Sequence, residues 1–131
     1  METVFGAGGL FLTLSELHKF GLFYLNKGKW NGKQILSEKW IEESTAASDT
    51  DNYGYLFWRG KYNSYRADGK YSQISMILPD KNAVISMVAE CRNGEELMSA
   101  LMIWYVQSYR LLLHNCEKGG PKELKQLVYI R

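Results

Sequence analysis

The hydrophobic period of this chain changes near Tyr53, and that change constrains the fold more than any other feature. Up to Ala46 the apolar residues recur at helical spacing; from Tyr53 they alternate, and after Asn93 they return to helical spacing. A helix pair, an antiparallel strand meander and one long covering helix should therefore follow one another. That order belongs to the α+β class.

Local signals set the helix ends. Thr13 with Glu16 forms a capping box, Leu12 and Leu17 occupy hydrophobic-staple positions, and a helix should run from Leu14 toward Gly28. Its apolar face comprises Leu17, Phe20, Gly21 and Tyr24, where the mid-helix glycine implies close approach of another backbone. Trp30-Asn31-Gly32-Lys33 predicts a tight two-residue turn, and Ser37 predicts a cap for a second helix whose apolar face presents Trp40 and Ile41. Residues 46–52 are small and polar, as a loop would be.

Three or four strands are expected next. Tyr53 to Trp58 makes the first, Lys61 to Arg66 a second, and Ser72, Ile74, Met76 and Leu78 share one side of a third. Pro79-Asp80-Lys81-Asn82 turns the chain into a fourth, Ala83 to Glu90. Asn93 and Glu96 then cap a helix from about Gly94 to His114, whose stripe of Leu97, Leu101, Trp104, Tyr105 and Leu112 suits one face of the sheet. Gly119-Gly120-Pro121 interrupts the pattern, so residues 1–116 form the domain and residues 117–131 a linker and tail.

Composition excludes several functions. A net charge of +2 with 23% charged residues, and glutamates 38, 42 and 43 beside lysines 27, 29, 33 and 39, lacks the basic excess that nucleic-acid binding needs. Leu97 to Leu113 contains Gln107, Ser108 and Arg110, which falls short of a membrane span, and Met1 to Leu12 has no signal-peptide pattern. Cys91 and Cys116 have no further Cys or His at metal-ligand spacing, so no metal or cofactor is expected. They read as two thiols, with a disulfide as the alternative that sequence leaves open. His18 and His114 are solitary and read as structural or surface residues.

Four features in order carry a resemblance: G-G-L-F-L-T-L-S-E-L from Gly8, N-G-K-Q-I-L-S-E-K-W from Asn31, Y-G-Y-L-F-W from Tyr53, and R-A-D-G-K-Y-S-Q from Arg66 followed by I-L-P-D-K-N-A-V-I-S-M. Together they resemble the C-terminal part of the serine β-lactamase and penicillin-binding-protein superfamily, from about Phe5 to about Leu113. The resemblance implies a partial β-lactamase-like fold and ester or amide acyl transfer in an intact parent. Such enzymes use a Ser-x-x-Lys pair as activated nucleophile, and the chain contains no Ser-x-x-Lys. What it retains is the strand motif beside the nucleophile: Ala67, Asp68 and Gly69, with Lys70 supplying an oxyanion N–H and Asp68 and Gln73 on the rim. Ala67 replaces the cation that would bind a β-lactam carboxylate, which favours an esterase or aminohexanoate-oligomer-hydrolase branch. Ser72 stands where that branch has glycine.

The same residues admit plainer readings. A-D-G can be a turn between strands, Tyr24-Leu25-Asn26 matches the family's Tyr-x-Asn only as a string at a helix end, and Ser37-Glu38-Lys39 is a helix cap. The expected function is that of a hydrolase fragment without catalytic residues of its own; the alternative is a non-enzymatic interaction module. Its sheet would present an unpaired edge, to be covered by the missing N-terminal half, by a second copy in a homodimer, or by the tail segment Leu127-Val128-Tyr129-Ile130.

Overall fold

A computed structural model describes residues 10–48, 52–70, 72–89, 96, 99–100 and, as backbone, 127–130. The first helix, α1, spans Leu14–Leu25 and begins with the complete capping box of Thr13 and Glu16. It ends at Asn26 in a Schellman arrangement: the Gly28 N–H donates to the Phe23 carbonyl at 3.0 Å and the Lys27 N–H to that of Tyr24 at 3.0 Å.

A small hairpin follows. Strands β1 (Lys29–Trp30) and β2 (Lys33–Gln34) pair across Asn31 and Gly32, whose φ values of 48° and 78° are those of the tight turn that the Asn-Gly dipeptide predicts. Helix α2 (Glu38–Thr45) starts where the Ser37 hydroxyl accepts the Trp40 N–H at 3.1 Å. Ile41 is buried as expected, whereas Trp40 is exposed and packs against the Tyr55 ring, 5.8 Å between centroids.

The main sheet has six antiparallel strands in chain order: β3 (Tyr53–Gly54), β4 (Phe57–Arg59), β5 (Tyr65–Gly69), β6 (Gln73–Leu78), β7 (Ala83–Val88) and β8 (Leu127–Ile130). Two of these corrections to the three- or four-stranded expectation have clear physical causes. Residues 53–58, expected as one strand, fold back on themselves as β3 and β4, with Tyr55 and Leu56 at φ 26° and 75°. The fold-back stacks Tyr53 on Trp58 at 4.5 Å and buries Phe57 against Tyr24 and Tyr65 at 4.8 and 5.7 Å, so aromatic packing overrides local preference. Gly54 permits it, because a Cβ there would collide with the Ala46 carbonyl. Likewise residues 61–64 form a turn, closed by Gly60 N–H to Ser64 carbonyl at 2.9 Å, and the expected 61–66 strand begins only at Tyr65.

Strands β6 and β7 are buried on both faces rather than alternating in and out. Cross-strand register puts Ser75, Ile77, Val84 and Ser86 on the face under α1, and Ile74, Met76, Ile85 and Met87 on the opposite one. The long C-terminal helix expected on that second face lies outside the described residues except at Glu96, Ser99 and Ala100, which are helical. Cys91, Cys116 and His114 also lie outside them. Of the three occupants expected for the open sheet edge, the tail is present: β8 pairs with β7 from Val88↔Leu127 to Ile85↔Ile130.

Gly21 sets the depth at which α1 sits on the sheet. A Cβ there would stand 2.5 Å from Val84 Cγ1 and 2.6 Å from Ser75 Oγ, so the close neighbours are strand side chains and not the backbone that the glycine suggested. Gly21→Ala should gain about 1 kcal/mol in helix propensity yet destabilise overall by about 1–3 kcal/mol through overpacking. Urea denaturation checks this, and the loss should shrink in a Val84→Ala background; an Ala variant as stable as the parent would contradict the close packing.

Candidate functional site

The residues singled out from the strand motif come together at one end of the sheet. Ala67, Asp68 and Gly69 lie on β5, Gln73 faces Gly69 across the first pair of β6, and Lys70 occupies the intervening turn. Alternation puts Ala67 and Gly69 on the α1 side and Asp68 on the other, where its carboxylate accepts from Arg66 Nε at 3.0 Å. A Cβ at Gly69 would press on Gln73, at 3.2 Å from its carbonyl oxygen, so the hairpin itself has a reason for glycine. Ser72 takes φ 69°, a conformation that glycine adopts without a Cβ penalty.

These residues line an open groove of about 660 Å³. One wall is Ala67, Asp68, Gly69, Gln73 and Val88; the other is the segment Leu10 to Thr13 with Glu16 and Leu17 of α1, and Tyr53 and Leu56 close one end. Lys70 is not among the described residues that line it. The mouth is unusually apolar: Phe11 is 93% exposed, Leu10 79% and Leu56 69%. Among the described lining residues there is no Lys, Arg or His. Glu16 is held ionised, its carboxyl pulled below the usual range by the Thr13 backbone N–H at 2.7 Å and then by the Thr13 hydroxyl at 2.8 Å. A groove of this kind suits a neutral substrate with an apolar body and repels carboxylates.

A histidine–serine contact lies nearby but does different work. His18 Nδ1 is 3.1 Å from Ser86 Oγ, and Ser75, which pairs with Ser86 across the strands, donates to the Leu17 carbonyl at 3.5 Å. Both serines are fully buried, so no substrate carbonyl can reach either hydroxyl. The contact ties α1 to the sheet. Reading His18 as solitary missed it, although two serines at facing positions of apolar strands were its visible signal. Tyr24, of the Tyr-x-Asn string, is buried in the aromatic core, and Asn26 caps the helix.

No protein-family model matches the chain, and no curated protein sequence matches it. Among the described residues no group of three His, Cys, Asp or Glu side chains could hold a metal ion, and no helix is long and apolar enough to cross a membrane.

Because the capping box forms the groove wall, it can be tested directly. Thr13→Ala should cost about 1 kcal/mol of stability. The Glu16 carboxyl should move part of the way back toward its ordinary value, since the backbone N–H remains. Its lowered value in the folded state means that its contribution is present above the unfolded carboxyl range and is lost as pH falls through the folded value. Carboxyl chemical shifts followed against pH in both proteins measure this; an unchanged Glu16 titration would contradict the geometry.

Proposed function

We propose that this chain is the C-terminal portion of a serine hydrolase of the β-lactamase and penicillin-binding-protein type, acting in its intact parent on neutral esters or amides. The observation that carries the reading is the groove: Ala67, Gly69 and Gln73 stand together on one wall, opposite an apolar wall, with no cation among the described lining residues. In the parent, a serine hydroxyl would lose its proton to a lysine amine and attack the substrate carbonyl; the ester C–O or amide C–N bond then breaks, the alcohol or amine leaves with that proton, and water hydrolyses the acyl-enzyme to the carboxylic acid and free serine. The β5 wall would contribute N–H donors to the developing oxyanion; the resemblance gives that role to the Lys70 N–H, which belongs to the turn that follows β5. Asp68 and Gln73 belong to the rim. Asp68 is already committed to Arg66, so Gln73 is the better candidate for touching substrate.

Without Ser-x-x-Lys the chain itself should not transfer acyl groups. Incubation with an activated nitrophenyl ester or a fluorescent penicillin should give no burst and no mass increase. An acyl adduct that disappears on mutating one serine of this chain would overturn the non-catalytic assignment. Coding sequence upstream of Met1 carrying an in-frame Ser-x-x-Lys and Tyr-x-Asn is the expected counterpart.

A second reading, an interaction module, is favoured by the sheet edge. Strand β8 covers β7 with four residues that are all apolar or aromatic, the kind of edge that exchanges readily for another strand. With the tail in place the chain should be monomeric; deleting residues 122–131 should expose β7 and produce concentration-dependent association. Light scattering of both forms decides, and a truncated chain that stays monomeric and soluble would count against edge pairing.

A further inference from the structure

A second cavity, of about 540 Å³, opens at the C-terminal end of α1, whereas the groove lies at its N-terminal end. Its lining includes three buried, largely apolar side chains, Tyr24, Ile41 and Tyr65. Arg59 stands over the Tyr65 ring, its guanidinium carbon 5.7 Å from the centroid. The guanidinium donates to the Thr45 carbonyl at 3.4 Å and to Asn63 Oδ1 at 2.6 Å. Asn63 in turn donates to Asp80 at 3.1 Å, which leaves Arg59 with no carboxylate in ion-pair contact among the described residues.

Tyr65 supplies the independent observation. It is only 5% exposed, and its hydroxyl has no hydrogen-bond partner among the described residues. Buried polar groups are almost always paired, so an orphan hydroxyl on a cavity wall calls for an acceptor. Burial pushes this phenol up to about 12, which keeps it a donor throughout the physiological range. Burial raises the Tyr24 phenol as well, and Ser44 beside it opposes that shift.

We propose that this cavity binds a small organic monocarboxylate with an apolar body. The carboxylate takes donors from Arg59 and Tyr65, and the hydrocarbon lies over Tyr24 and Ile41. Charge at the mouth limits the ligand to one negative charge. Glu42 lies on the rim, Lys27 is already paired with Glu38 at 3.4 Å, and the carbonyl end of α2 at Thr45 and Ala46 carries the negative end of the helix dipole. Phosphates and dicarboxylates meet repulsion there that a single carboxylate bound to Arg59 does not. This site does not depend on the hydrolase reading.

Hexanoate is the probe, with hexanamide as its neutral counterpart, titrated into the isotope-labelled full chain. Hexanoate should give saturable shifts of the Arg59 side-chain N–H and the Tyr65 amide in the millimolar range. Hexanamide should bind at least tenfold more weakly. Tyr65→Phe, which removes only the hydroxyl, should weaken hexanoate binding about tenfold or more while leaving the melting temperature unchanged or higher. The proposal is overturned by absence of saturation with hexanoate, by equal binding of the amide, or by a Tyr65→Phe variant that binds normally. A clear loss of stability in that variant would also overturn it, because the hydroxyl would then already have a partner.

Discussion

The close contact of α1 with β6 and β7 is the constraint from which the rest of the structure follows. Gly21 lets the helix sink onto Val84 and Ser75, and the buried serines 75 and 86 use their hydroxyls to reach the Leu17 carbonyl and His18. Polar atoms at a helix–sheet contact must be paired, and pairing them fixes the helix along its axis as well as in depth. Hydrophobic contact alone would leave that sliding freedom. With α1 held, Phe20 and Tyr24 meet Phe57 and Tyr65, so the aromatic core dictates where the β3–β4 hairpin must fold back.

Both concavities are consequences of that placement. The N-terminal turn of α1 overhangs the β5–β6 hairpin and leaves the apolar groove; its C-terminal end, with α2 and β4, encloses the Arg59 cavity. They differ in sign. The groove is lined by carboxylates Glu16 and Asp68 and by no cation among the described residues, while the cavity holds a guanidinium and a protonated phenol. One chain thus carries two separate concavities of opposite electrostatic character at the two ends of α1.

Features carried by bonds between near neighbours were legible in the sequence. The Thr13 and Ser37 caps, the Asn31-Gly32 turn and the Pro79 turn all depend on residues within a few positions of one another. The fold-back at Tyr55 and Leu56 was not legible, because its cause is the burial of Phe57 against residues far away in the chain. Nor was the exposure of Trp40, whose ring contact is with Tyr55 in the β3–β4 turn and not with the core. For the groove, order and spacing of motifs brought Ala67, Asp68, Gly69 and Gln73 into view, but only strand alternation in the folded sheet separates Asp68 from the face of Ala67 and Gly69. The Arg59 and Tyr65 cavity draws on four elements, and no local pattern announces it.

Whether the groove is an acyl-binding wall is best tested by mapping amide shift changes in the labelled chain on adding methyl hexanoate. The account predicts perturbations centred on Leu12, Ala67, Gly69 and Gln73, with Arg59 and Tyr65 unmoved. An ester that leaves the groove residues unmoved, or hexanoate perturbing them more strongly than its neutral ester, would contradict it.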